Sequence, residues 1–153
     1  MHRYILRETI VSMVINTLFS LAFFLLVFTV GAPVRVWGVG GYAFDALPQS
    51  AAIAAMSTLV PGFIAMRQIR AGRLARRNEA SILPHNIWLR AVGVAMAAMA
   101  LGGALSVAGL MLLGLRAIPW EAALIAKLAY GAALAGIVTP PTLRAAMGAK
   151  LAR

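Results

Sequence analysis

Four long apolar runs, separated by short polar or basic stretches, dominate the chain: about Thr9 to Val30, Pro48 to Met66, Ala91 to Leu115 and Glu121 to Thr139. Each is close to or above the roughly 20 apolar residues that a helix needs to cross a bilayer. Backbone groups in hydrocarbon must be paired within their own segment, so runs of this kind are expected to be helices. The pattern therefore predicts an all-α integral membrane protein, one membrane domain over residues 1–153 with four transmembrane helices. Pro48 and Pro119 fit the first position of a helix, where a missing N–H costs nothing. The short connection Arg116–Trp120 turns the fourth run back on the third. The expected architecture is two antiparallel hairpins joined by a basic loop over residues 67–90. Leu47–Ala52 and Ile118–Ala123 are loosely alike, as two copies of a degenerate parallel repeat would be, although alanine-rich helices produce such matches by chance.

Charge adds an orientation. Of 14 Lys and Arg residues, eleven flank the ends of the runs on one side: Arg3, Arg7, Arg67, Arg70, Arg73, Arg76, Arg77, Arg90, Arg144, Lys150 and Arg153. Arg35 and Arg116 lie in the other two connections, and Lys127 lies inside the fourth run. Basic residues near span ends are retained in the cytoplasm, so both termini are expected inside (N-in/C-in), with Gly31–Leu47 and Arg116–Trp120 outside. The expected location is a bacterial cytoplasmic (inner) membrane. The first run follows Arg3 and Arg7 and ends near Val30-Gly31-Ala32, which resembles a secretory signal. It is longer than the usual apolar core of about 7–15 residues, and is read as an uncleaved first span.

Composition narrows the function classes. The chain is 62% hydrophobic and 12% charged, with a mean hydropathy of +0.88 and a net charge of +10. The basic residues bracket apolar spans, so the expected partner is a bilayer with anionic headgroups on the cytoplasmic side, and nucleic acid is not expected. Arg67, Arg70, Arg73, Arg76 and Arg77 are the candidate lipid-headgroup contacts. The every-third spacing of the first four resembles a voltage sensor, but a complete apolar span precedes them. There are no cysteines, which removes thiolate ligands and cysteine nucleophiles. His2 and His85 are isolated, and no nucleotide-binding or nucleophile-elbow pattern is present. No enzyme, cofactor or metal is expected.

Three features remain as candidate chemistry. Glu8, Ser12, Asn16 and Ser20 recur every fourth residue and form a polar strip on one face of the first helix. Asn16 is its most polar member within the span, and Ser57 and Thr58 of the second run lie at similar depth. An amide left in lipid is costly, so these groups are expected to face one another, either as interhelical hydrogen bonds or as a path for a solute. Pro61-Gly62 is expected to kink the second helix beside them. Lys127, an ionisable group inside a span, is a functional candidate by default. It can snorkel outward, pair with Asp45 of the outer connection, or bind a substrate together with Asn16, Ser57 and Thr58. Glu8 and Glu121 are placed at helix N-termini and Asp45 in a loop, so no carboxylate is expected deep in a span, which weighs against a proton-relay exporter. Finally, Ala98/Gly102/Ser106, Gly131/Ala135 and Ala132/Gly136 form small-residue lines suited to close helix contact, with Gly93, Gly103 and Gly109 on the third helix in addition. The leading expectation is a non-enzymatic accessory or oligomerising subunit. The second is a small permease using the polar strip on the first two spans.

Overall fold

A computed structural model describes residues 2–76 and 82–148. Four helices make up almost all of it: α1 His2–Val27, α2 Tyr42–Arg70, α3 Ile87–Leu112 and α4 Trp120–Gly148. All four are long and apolar enough to cross a membrane, and the chain is a multi-pass, all-α membrane protein on that ground. At 29 residues, α2 and α4 each run about 44 Å at 1.5 Å per residue, longer than the hydrocarbon core alone requires.

The helices extend past the apolar runs because charge marks where hydrocarbon ends, not where hydrogen bonding ends. Thus α1 begins at His2 rather than near Thr9, carrying Arg3 and Arg7 as helical residues. Glu8 is consequently about two turns inside α1 and buried, a correction to its placement at a helix terminus. Similarly, α2 begins at Tyr42, with Gly41 as N-cap and Pro48 inside the helix. Asp45 belongs to the first turn of α2 rather than to a loop. Pro119 does stand immediately before α4, so the two prolines are not equivalent and the apparent repeat loses its anchor. Pro140 and Pro141 fall inside α4, which continues past the expected end at Thr139. α3 starts on an Asn86 cap whose side chain accepts hydrogen bonds from the Trp88 and Leu89 amides at 2.9 and 3.3 Å. It stops before Gly114, whose φ of +61° suits a residue without Cβ.

The two connections expected on the outer side meet in a feature the hydropathy pattern does not announce. β1 Val34–Arg35 pairs antiparallel with β2 Ala117–Ile118, and the Val36 amide donates to the Arg116 carbonyl at 3.0 Å. Trp37 Nε1 donates to the Leu115 carbonyl at 2.9 Å. This ribbon caps an apolar cluster of Phe24, Phe28, Val36, Tyr42, Leu110 and Ala123. It also places the ends of α1 and α3 and the starts of α2 and α4 at one end of the bundle.

Helix packing departs from the two-hairpin expectation. α3 packs chiefly on α2, and α4 packs on both α1 and α2, whereas α1 with α2 and α3 with α4 share few contacts. Adjacency along the chain constrains which ends meet, but small side chains decide which faces close. A Cβ on Gly131 would collide with Ser20, which permits the close α1–α4 approach. One on Gly62 would come within 2.9 Å of Ile87 Cδ1, and one on Gly103 would strike Leu47, both at the α2–α3 contact. Van der Waals packing of this kind drives association where lipid removes the hydrophobic incentive.

Candidate functional site

The polar side chains of α1, α2 and α4 converge into a buried seam. α1 presents Ser12, Asn16 and Ser20, α2 presents Gln49, Ser50 and Ser57, and α4 presents Lys127, Thr139 and Thr142, all inaccessible or nearly so. The periodicity of α1 puts its polar positions on one stripe, and facing that stripe inward avoids the cost of exposing hydroxyls and amides to hydrocarbon.

The expected meeting of Asn16 with Ser57 occurs. Asn16 Nδ2 donates to the Ser12 carbonyl at 2.8 Å and lies 3.2 Å from Ser57 Oγ, and Ser12 Oγ is 3.3 Å from Ser57 Oγ. Thr139 of α4 joins them, its hydroxyl donating to Ser12 Oγ at 2.9 Å. Thr58 is buried beside this group but turns its hydroxyl to the Ala54 carbonyl of its own helix at 2.8 Å, so it adds no cross-helix bond. Pro61 has no N–H to give the Ser57 carbonyl one turn back. Thr142 Oγ1, from α4, stands 3.4 Å from that carbonyl while bonding Val138 at 2.8 Å. Further along, Gln49 Nε2 donates to Ser20 Oγ at 3.0 Å, and Ser50 and Tyr130 share a hydroxyl–hydroxyl bond of 2.6 Å.

The seam is not fully satisfied. Asn16 Oδ1 and Gln49 Oε1 are buried and have no hydrogen-bond donor among the described residues. The Asn16 amide orientation is set by the Ser12 carbonyl, which can only accept, so the orphan atom is the oxygen. Leaving a buried acceptor unpaired costs about 1–3 kcal/mol.

A narrow cleft opens beside this part of the seam, between α1 and α2. Glu8, Ser12 and Asn16 supply its polar lining, and Val11, Ile15, Met56, Val60, Pro61 and Ile64 supply apolar walls. Glu8 is 6% exposed. Among the described residues it pairs with the Arg7 guanidinium at 3.9 Å, whose own side chain is 75% exposed, so that pairing is loose.

Lys127 stands apart from this cleft. It is 2% exposed and forms an ion pair with Asp45 Oδ2, its ammonium lying 4.8 Å from the centre of the Tyr42 ring. The pair ties α4 to the first turn of α2, near the ribbon. The structure thus brings Asn16 and Ser57 together, with Thr58 alongside, and sets Lys127 elsewhere with a partner of its own.

Of the basic cluster, Arg67 and Arg70 are exposed on the last turn of α2, while Arg73 and Arg76 follow the helix and Gly72, whose φ is +69°. Their every-third spacing therefore does not describe one helix face. Arg77 lies outside the described residues. Arg90 differs from the surface cluster assigned to that loop: it is in the first turn of α3, with 0% exposure. Its guanidinium donates to the Pro84 carbonyl at 3.2 Å, and Nε and Nη2 have no partner among the described residues.

Several seam residues carried no signal of their own in the sequence. Thr139 and Thr142 flank a Pro-Pro pair that reads as a helix end, and Gln49 and Ser50 follow a proline that reads as a helix start. Among the described residues no group of three or more His, Asp or Glu side chains is placed to hold a metal ion. Comparison with protein-family models, curated proteins and solved structures finds no match.

Proposed function

We propose that this four-span protein is a small non-enzymatic carrier of the bacterial inner membrane, which admits a polar solute through the α1–α2 cleft to the buried seam. The observation that carries this reading is Asn16, a residue 2% exposed that lines the cleft and whose buried Oδ1 has no donor among the described residues. Helix packing alone is served by hydroxyls that satisfy themselves on their own backbone, as Thr58 does. A carboxamide with an unused acceptor is costly in that role and useful in binding. The ribbon end lies outside and the basic end inside, following the distribution of Lys and Arg, and Arg67, Arg70, Arg73 and Arg76 contact anionic headgroups there.

The test is uptake into proteoliposomes across a panel of small polar solutes, with Asn16→Ala and Ser57→Ala as variants. Loss of uptake in folded variants supports the carrier. Unchanged uptake in both, or no uptake of any solute by the unmodified protein, removes it. A second reading, an accessory or oligomerising subunit, has one observation in its favour. Gly93 and Gly109 of α3 face open space, although glycine costs about 1 kcal/mol relative to alanine inside a helix. The two lie about 160° apart around α3, so they mark two sides of the helix; close approach of another helix at either side explains the glycine there, and mass measurement in nanodiscs tests it.

A further inference from the structure

We infer that the α1–α2 cleft takes an amphiphilic primary amine: a cationic head at Glu8, an alkyl chain along the apolar walls, and a hydrogen-bond donor at the far end on Asn16. This rests on the carrier reading of the same cleft and names its substrate class.

The polar groups of the lining sort by what they can accept. Glu8 contributes a carboxylate, more than nine-tenths buried and, among the described residues, held by Arg7 at 3.9 Å. Asn16 spends its Nδ2 on Ser12 and Ser57, which leaves Oδ1, buried and without a donor among the described residues, as its one unused polar atom. Neither the carboxylate nor the amide oxygen can donate, and no Lys or Arg lines the cleft. An anionic solute would meet the Glu8 carboxylate with only the exposed Arg7 guanidinium nearby to offset the repulsion, whereas an ammonium group finds a mostly buried carboxylate as its charge partner.

Spacing refines the ligand. Eight residues separate Glu8 from Asn16, about 12 Å along the helix at 1.5 Å per residue. One ammonium cannot bond both acceptors across that gap. A linear molecule with a donor at each end can, using hydrogen bonds of about 2.8–3.0 Å at each terminus. Between the two acceptors the cleft shows Val11, Ile15 and Val60, which suit methylene groups and offer no polar contact beyond Ser12. The deeper acceptor is neutral, so the far donor is best supplied by a hydroxyl or amide rather than by a second charge, whose burial would go unpaired.

Equilibrium binding to the purified full-length protein, by titration calorimetry in nanodiscs, uses four probes: 6-amino-1-hexanol, hexylamine, 1-hexanol and hexanoate. Empty nanodiscs correct for partitioning. The expected order places 6-amino-1-hexanol first and hexylamine second, with 1-hexanol and hexanoate at background. Glu8→Gln should weaken both amines at least tenfold, the size of one lost charge-assisted hydrogen bond. Asn16→Leu should abolish the advantage of the amino alcohol over hexylamine and leave hexylamine within about threefold. Where Asn16→Leu lowers thermal stability, Asn16→Ala is measured beside it, and Glu8→Gln retains the shape of the side chain.

Equal binding of the two amines overturns the two-ended assignment, and amine binding that is indifferent to Glu8→Gln overturns the cation site. If no amine binds while proteoliposomes take up another solute in an Asn16-dependent way, the substrate class is wrong and the carrier stands. If neither binding nor uptake of any solute occurs, both fall.

Discussion

Replacing Lys127 by methionine tests the ion pair that it forms with Asp45. The ammonium and the Asp45 carboxylate are 2% and 6% exposed, so neither is solvated in the folded bundle. Lys127→Met leaves Asp45 as an uncompensated buried charge in α2, and removing one partner of such a pair costs about 3–5 kcal/mol. Loss of the contact with the Tyr42 ring, 4.8 Å from Nζ, adds roughly 0.5–2 kcal/mol. Asp45→Asn should cost a similar amount, because the cation is then the orphan. The double variant should recover most of the loss, since the desolvation of both charges disappears with their attraction. Thermal and denaturant unfolding in micelles, arranged as a double-mutant cycle, reads the coupling directly. A coupling below about 0.5 kcal/mol, the range of exposed pairs, would refute the claim that the pair is sealed between α2 and α4. The same variants address function: Lys127 does not line the cleft, so Asn16-dependent uptake should survive in any Lys127→Met protein that remains folded. Loss of uptake in a folded, correctly assembled Lys127→Met protein would return Lys127 to the substrate site.

Other perturbations test the packing and the ribbon. Gly102→Ala introduces a Cβ that collides with Tyr130 Oη and lies 2.9 Å from Ser50 Oγ, and is expected to lower stability by about 1–3 kcal/mol. Gly93→Ala, at a position with open space, should raise the monomer's stability by up to about 1 kcal/mol, and both are read from unfolding midpoints. Pro61→Ala restores an N–H opposite the Ser57 carbonyl, so Thr142→Val should destabilise less in that background than in the unmodified chain when the cycle is measured by unfolding. Cysteines replacing Arg35 and Ala117, which face each other across the ribbon, should form a disulfide on mild oxidation in a chain that has none of its own. Failure to cross-link in the folded protein would exclude the ribbon.

The four spans were legible because hydropathy over 20 residues is a property of composition, and no tertiary contact is needed to express it. The inward face of α1 was legible for a related reason. Polar groups four residues apart share a stripe, and lipid leaves that stripe one favourable direction, which is how Asn16 and Ser57 were matched before any contact was known. Helix ends were less visible, since Pro48, Pro140 and Pro141 look like boundaries yet sit inside α2 and α4. A membrane helix tolerates an interior proline when a neighbour stands near the freed carbonyl, as Thr142 does at the Ser57 carbonyl opposite Pro61. Glu8 stood on that same stripe, but its place two turns inside the helix was not visible, because charged residues such as Arg3 and Arg7 conceal where α1 begins.

The sequence by itself determined a four-helix membrane chain and a polar stripe that had to be buried, because both follow from transferring each segment, independently, from water to lipid. Only the tertiary structure decided that α3 packs on α2 and α4 on α1 and α2, that Lys127 pairs with Asp45, and that Glu8 and Asn16 line one cleft. Those outcomes depend on which glycine admits which neighbour, at Gly62, Gly102 and Gly131. Close packing is a property of pairs of surfaces, and no single segment carries it.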